Sequence, residues 1–205
     1  MSDSFSMRMS SDDGLAPPAE IFAAKPDRKG PKTVAVLLVL GSIIVLFIGY
    51  GYWELSSVDD LVEEDIMVII EAPNNQGANI TVEEYQEFHD IAIENGAYHW
   101  IGFSLLLGGG FSLIGGIVLF NMNPLGSKLA GGGALISLFG GIRGIFLTKE
   151  AASESIPYLV QNYELMAYLC GTCMFLCGAL AALPLLNAGA RAALYPKVTL
   201  TLEEE

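Results

Sequence analysis

Cysteine and basic residues are scarce in this sequence. The three cysteines are Cys170, Cys173 and Cys177, and all of them lie in one apolar stretch. Cysteines confined in this way cannot cross-link the polar segments, which excludes a disulfide framework there. The chain has 10 Lys and Arg against 23 Asp and Glu, and its formal net charge is −13. This balance excludes a basic surface that would bind nucleic acid.

Motifs for catalysis and cofactor binding are also missing. The glycine triplets Gly108–Gly110 and Gly131–Gly133 lie inside apolar stretches, without the preceding strand that a phosphate-binding loop requires. His89 and His99 lack the close spacing of paired metal ligands on one helix. We therefore predict that the protein is not an enzyme, uses no cofactor, and has no catalytic, cofactor-binding or metal site.

Four long stretches that are nearly free of charge make up much of the sequence. They are Thr33–Trp53, His99–Asn121, Ser127–Leu147 and Leu165–Leu186. Each is long enough to cross roughly 30 Å of hydrocarbon as an α-helix. A soluble fold would have to bury all four on every side, whereas helices of soluble proteins normally keep a polar face. The sequence therefore predicts an all-α membrane protein, a four-transmembrane-helix bundle that has the lipid bilayer as a partner.

Basic residues determine the predicted orientation, because short loops rich in Lys and Arg stay in the cytoplasm. Lys25, Arg28, Lys29 and Lys32 crowd the start of the first stretch, which places the N-terminus inside. Four crossings then make the C-terminus cytoplasmic as well, and the protein a multi-pass membrane protein. The predicted segments are a disordered tail 1–32, transmembrane helices 33–53, 99–121, 127–147 and 165–186, an outer segment 54–98, an inner turn 122–126, an outer loop 148–164 and a second tail 187–205.

The outer segment 54–98 is the most acidic part of the chain, with twelve Asp and Glu and no Lys or Arg. Thr81 and Glu84 have the spacing of a capping box, and apolar residues recur after them at helical spacing. An amphipathic helix is therefore predicted over 82–95. A cation site is the alternative to a solvated acidic face, but the calcium-loop spacing is missing from Asp59–Asp65.

Two shorter patterns occur earlier in the outer segment. The β-branched run Ile66–Ile70 favours a short strand, with a helix continuing from Val58 as the alternative. Asn79, Ile80 and Thr81 match the acceptor triplet for N-glycosylation, which makes Asn79 a candidate modification site.

Arg143 is a charged side chain well inside a predicted span. A charge at membrane depth is costly, and by default it marks a functional candidate. Near the outer boundary, however, an arginine can extend its long side chain toward an acid. We therefore expect a membrane ion pair between Arg143 and Glu164 or Glu54, and keep a ligand-binding or gating role for Arg143 as the alternative.

Small residues repeat at four-residue spacing in the second and third spans, and such stripes let helix backbones approach in lipid. The predicted packing residues are Gly108, Ser112, Gly116, Gly133, Ser137 and Gly141. The two spans are joined by a short turn, so they are antiparallel neighbours. If Asn121 and Lys128 lie at equal depth, Gly108 pairs with Gly141, Ser112 with Ser137, and Gly116 with Gly133.

The predicted function follows from the near absence of polar residues in the first and last spans, together with the small-residue packing. We expect a non-enzymatic accessory or scaffold subunit that presents an acidic outer segment to other membrane proteins, or to further copies of itself. The alternative is a small oligomeric transporter or channel that uses Arg143 and the Gly-rich hairpin of the second and third spans. Transporters usually need polar groups near the membrane midplane, which are few here.

Overall fold

The computed structural model describes residues 25–195, and within that range all regular structure is helical. The elements are α1 (Lys29–Leu55), α2 (Glu63–Asn75), α3 (Val82–Glu94), α4 (Ala97–Phe120), α5 (Leu125–Ser155), a 3₁₀ turn (Pro157–Leu159), α6 (Val160–Leu186) and α7 (Ala188–Leu194). Residues 1–24 and 196–205 lie outside the described range. Most of the predicted tail 1–32 and the end of the predicted tail 187–205 are therefore not tested.

Four of these helices, α1, α4, α5 and α6, are long and apolar enough to cross a membrane. They contain the four apolar stretches, and the prediction of an all-α membrane protein with four spans is confirmed at that level. Most of their large apolar side chains point outward, including Phe47, Phe139 and Phe175, which are 74%, 71% and 67% exposed. Side chains of this kind suit contact with lipid.

The four spans form a bundle in which α4 packs against both α1 and α5, and α5 packs against α6. Contact between α1 and α6 is sparser. We call the end of the bundle that carries α2 and α3 the domain end. The opposite end, with the α4–α5 connection Asn121–Pro124, is the turn end. A buried cluster joins the spans and α7 at the turn end and consists of Ala35, Leu38, Leu119, Ala130, Ala181 and Leu194.

The run Ile66–Ile70 lies in helix α2, so the predicted strand is wrong. Three acids occupy the first turn of α2, where the positive end of the helix dipole favours them. Ile66 and Ile70 are four residues apart on one face and are 1% and 7% exposed. Burial at helical spacing therefore outweighs the β-branched composition.

The capping box at α3 is present: the Thr81 side chain accepts from the Glu84 N–H, and the Glu84 carboxylate accepts from the Thr81 N–H. The helix ends at Glu94, and Gly96 has a φ of +75°, a left-handed conformation that glycine adopts readily. The left-handed residue Gly96 therefore forms a bend. It separates α3 from α4.

Helix α5 continues to Ser155, well past the predicted end of its span at Leu147. Its last turns bring Ala151 and Ala152, both fully buried, against Phe88 and Ala92 of α3. The side chain of Asn95 also donates to the Leu147 carbonyl oxygen at 2.9 Å. The first half of the predicted outer loop 148–164 is thus a helical platform against which α3 packs, and α2 packs against α3.

Candidate functional site

The small-residue seam between α4 and α5 is present, but its register differs from the predicted one. Gly108 lies against Ser137 and Gly133, and Gly133 lies against Ser112. Ser112 and Ser137 therefore do not face each other, and the predicted pairs Gly108–Gly141 and Gly116–Gly133 do not form. The observed register is displaced from the predicted one by about one helical turn.

The displacement comes from the turn between the two helices. Helix α5 begins at Leu125, so Lys128 lies inside its first turns with its side chain exposed, whereas the prediction took Lys128 as the helix end. A tighter connection moves every facing pair by one turn. Gly116 consequently faces α1, where a Cβ atom would lie 2.8 Å from Val39 Cγ2, and nothing lies within 4 Å of the Cβ position at Gly141.

Other small residues complete the seam near the turn end. A Cβ atom on Gly115 would lie 2.5 Å from the Ala130 nitrogen and 2.7 Å from the Gly126 oxygen. The predicted stripe does not include these three residues, although Ala130 lies three residues before Gly133 and Gly126 lies four residues before Ala130, which places both on the same face of α5. The predicted turn 122–126 contains Gly126, whereas the helix begins at Leu125.

Hydroxyl groups inside the spans mainly donate hydrogen bonds to carbonyl oxygens of their own helices. Ser104, Thr148 and Thr172 donate to carbonyl oxygens three or four residues earlier, at 3.1, 3.0 and 2.8 Å. Ser112 donates across the seam to the Ala130 carbonyl oxygen at 3.4 Å. These bonds satisfy the hydroxyls within the fold.

Arg143 lies over the ring of Trp100, with its guanidinium carbon 5.2 Å from the ring centroid. Neither Glu164 nor Glu54 is brought within ion-pair distance of it among the residues that the structure describes. Glu164 instead pairs with Lys149 at 3.5 Å, and Glu54 accepts a hydrogen bond from the Tyr50 hydroxyl at 2.7 Å. The charge on Arg143 is thus placed on an aromatic face, where a cation is attracted to the ring.

The two histidines occupy different environments at the domain end. His89 is fully buried, and its Nε2 lies 2.8 Å from the Val58 carbonyl oxygen, so it holds the α1–α2 connection against α3. His99 packs beside Trp53, with 5.1 Å between ring centroids. Over residues 25–195, no group of three His, Cys, Asp or Glu side chains is arranged to hold a metal ion.

Four tyrosines and Phe88 gather between α3 and the domain ends of the spans. The tyrosines are Tyr52, Tyr85, Tyr98 and Tyr163. Phe88 stacks on Tyr163 with 5.7 Å between centroids, and Tyr85 lies 5.5 Å from Phe88. Burial, with a smaller contribution from Tyr52, raises the pKa of Tyr85, so its hydroxyl stays protonated at neutral pH.

Asn79 and the cysteines are accessible. Asn79 is exposed with a φ of +55°, and its side-chain nitrogen donates to the Gly77 carbonyl oxygen at 3.2 Å. Cys170 and Cys173 are exposed on α6 and, with Cys177, form no disulfide.

Helix α2 carries an unusual exposed face. Val68 is 72% exposed and lies opposite the buried pair Ile66 and Ile70. On a helix its neighbours are the residues three and four positions away, Glu64, Asp65, Glu71 and Ala72. Val68 is therefore an apolar side chain largely surrounded by carboxylates.

Comparison with known proteins adds no assignment to this geometry. No family model, curated protein or solved structure matches the chain.

Proposed function

We propose that the protein is a non-enzymatic accessory or scaffold subunit that binds another membrane protein through helix α2 on the outer side of the membrane. The observation that carries this proposal is the exposed face of α2 around Val68. Exposed apolar side chains of this kind are typical of surfaces that become buried against a partner. The flanking Met67 and Ile69 are 48% and 47% exposed and widen the apolar surface.

The charges around this face favour a particular kind of partner. Glu64, Asp65 and Glu71 surround Val68, and all three are exposed. A partner surface with an apolar centre and a rim of Lys or Arg would match both features. A second copy of this chain would instead bring acid against acid, which disfavours self-association through α2.

Rigid attachment of α2 and α3 supports a docking role. The buried residues Ile66 and Phe88 belong to one cluster with Ala152 of α5. The side chain of Gln86 accepts from the Leu61 N–H at 3.1 Å and donates to the Asp59 carbonyl oxygen at 3.2 Å. A preformed surface of this kind loses little conformational entropy when it binds.

The proposed orientation places the domain end outside. At the turn end lie Lys29, Lys32, Lys128 and Arg191, whereas the domain end carries most of the acids of the described range. This distribution favours a cytoplasmic turn end because basic residues near span ends stay inside.

The alternative is a small transporter or channel. A transport path needs polar groups that are free to bind solute at membrane depth. Ser104, Thr148 and Thr172 already donate to backbone oxygens, and Arg143 lies on Trp100 rather than in the middle of the bundle. These contacts favour the scaffold over the transporter.

The proposal is tested by placing a photo-crosslinking amino acid at Val68, and at Glu83 on α3 as the matched exposed control, in cells that produce the protein. A membrane protein crosslinked from Val68 but not from Glu83 is then purified and bound in nanodiscs to the wild type and to Val68→Asp. We expect the substitution to weaken binding by about tenfold or more, since it buries a charge in the apolar centre.

Three results would overturn the proposal. One is equal affinity of wild type and Val68→Asp for the purified partner. Another is crosslinking from Val68 to a second copy of the chain only. The third is a solute flux through liposomes that contain the purified protein alone, which would support the transporter.

A further inference from the structure

A cavity of about 150 Å³ lies in the domain-end half of the bundle, among α1, α4, α5 and α6. Its walls are mainly apolar side chains such as Ile101, Leu138 and Met174. Gly141 also lines the cavity, and no atom lies within 4 Å of the position that its Cβ would take. The residue that was predicted to close a helix seam therefore borders open space.

Two further spaces border this cavity, one toward each end of the bundle. A space of about 320 Å³ beneath α2 is also lined by Tyr163 and Met166 of the cavity wall. A space of about 40 Å³ nearer the turn end is also lined by three residues of the cavity wall, Val45, Ser137 and Met174. We call the three neighbouring spaces the groove. Leu38, which belongs to the buried cluster at the turn end, lines the last of these spaces.

The depth and lining of the groove determine what can fill it. The apolar part of the groove among the spans does not hold ordered water, because water there would lack hydrogen-bond partners. An empty groove would forfeit the dispersion contacts of all the side chains that line it. In a bilayer, the hydrocarbon chains of lipids surround the protein at this depth. A single hydrocarbon chain has the elongated shape and the apolar surface that the groove requires.

The space beneath α2 is suited to an uncharged head group. Its polar side chains are Gln76, Tyr85, Asn162 and Tyr163, which are neutral donors and acceptors, and no charged side chain lines it. A phosphate there would meet the negative potential of the acidic outer segment, and Lys149, which lines a neighbouring space, is already paired with Glu164. Neutral hydroxyl or ester groups would instead find hydrogen-bond partners.

We propose that the groove binds one chain of an uncharged lipid, such as a diacylglycerol, with its polar head beneath α2. The proposal is independent of the docking role of Val68, because Val68 does not line the groove, although its neighbours Ile69 and Ala72 do. It gives the bundle a ligand site of defined chemistry.

The test uses the full chain in phosphatidylcholine nanodiscs that contain a diacylglycerol with a diazirine on one acyl chain. After photolysis, labelled peptides are identified by mass spectrometry. We expect labelling of the groove residues Leu138 and Met174, which are only partly exposed, that an excess of unlabelled diacylglycerol removes. Labelling of Phe139 and Phe146, which are 71% and 58% exposed on α5, should not be removed by that competitor.

A substitution that fills the groove is compared with a matched one that does not. Gly141→Leu places a side chain in the groove, whereas Gly132→Leu places one on the face of α5 that carries Phe139, also with nothing within 4 Å of its Cβ position. We expect Gly141→Leu to lower the competed labelling by about tenfold and Gly132→Leu to leave it unchanged. If Gly141→Leu unfolds the protein, Met174→Trp replaces it as the filling variant.

Three outcomes would overturn the proposal. The first is competed labelling that is equal in the filling variant and in Gly132→Leu. The second is labelling confined to exposed residues. The third is equal competed labelling of the groove by a phosphatidylcholine with the same diazirine chain, since this would remove the selectivity for an uncharged head group.

Discussion

Gly108 of α4 faces Ser137 of α5 so closely that a Cβ atom on Gly108 would stand 2.9 Å from the Ser137 backbone nitrogen. A reciprocal contact brings Gly133 of α5 to Ser112 of α4, where a Cβ atom would stand 2.8 Å from the Ser112 nitrogen. Real Cβ atoms do not approach backbone so closely. The two helices are therefore in backbone contact, which provides the dispersion energy that holds helices together in lipid.

Substitution of Gly133 by leucine should destabilise the bundle. The new side chain would meet the backbone of α4 and force the helices apart, at a cost of at least about 1–3 kcal/mol. The matched control is Gly132→Leu, whose side chain enters open space and whose helix propensity improves. Thermal unfolding in detergent should show a lower midpoint for Gly133→Leu only. Equal midpoints for the two variants would contradict the observed seam.

The sequence was sufficient to predict the four spans and the cap of α3 because both depend on local patterns. Runs of apolar residues define the spans, and Thr81 with Glu84 defines the start of α3. The register of the α4–α5 hairpin depends instead on where α5 begins. The prediction placed the start of α5 near the charged residue Lys128. The helix instead begins at Leu125, and Lys128 lies within it with its side chain exposed.

Tertiary contacts explain the other differences. The choice between strand and helix for Ile66–Ile70 depends on the core that Phe88 and Ala152 provide, and no local pattern specifies that core. The position of Arg143 depends on the rotation of α5, which turns its side chain toward Trp100. Glu164 therefore forms its ion pair with Lys149 instead. The sequence places Glu164 and Glu54 near the same membrane boundary as Arg143, but it does not show which way each side chain points.

Asn95 should be important for holding α3 on α5. Its side chain donates to the Leu147 carbonyl oxygen and accepts from the Ala97 N–H, each at 2.9 Å. Asn95→Ala removes both hydrogen bonds, and each such bond contributes about 0.5–1.5 kcal/mol. Hydrogen exchange should become faster in α3 while the spans stay protected. The control is Asn75→Ala at the exposed end of α2, and equal exchange in both variants would argue against this role.

The contact between Arg143 and Trp100 should contribute a small, measurable coupling energy. Cation–π pairs at exposed sites are worth about 0.5–1 kcal/mol. A double-mutant cycle with Arg143→Met and Trp100→Leu, followed by denaturant unfolding in mixed micelles, should give a coupling of that size. Strictly additive effects would show that the guanidinium does not interact with the ring in solution.

Tyr85 should make the fold sensitive to alkaline pH. Burial raises the pKa of Tyr85 above its ordinary value of 10.0, so the folded protein holds this proton more tightly than the unfolded chain. The stability that Tyr85 contributes is complete below about pH 10 and is lost as the pH rises further. Tyr85→Phe should therefore lose less thermal stability between about pH 10 and 12 than the wild type. The exposed Tyr195→Phe is the control, and an unchanged alkaline decline in Tyr85→Phe would contradict the assignment.

Sidedness should follow the basic residues at the turn end, because Lys and Arg near span ends are retained in the cytoplasm. In a variant without native cysteines, single cysteines replace the exposed residues Ala72 and Ser153 at the domain end and Asn123 at the turn end. A membrane-impermeant maleimide added to intact cells should label the first two directly and the third only after permeabilisation. Ala72 reports the sidedness of the segment between α1 and α4, and Ser153 reports the sidedness of the segment between α5 and α6. The two results are independent because these segments are separated by complete spans. Labelling of Asn123→Cys on intact cells, with Ala72→Cys and Ser153→Cys protected, would invert the orientation and place the acidic face of α2 in the cytoplasm.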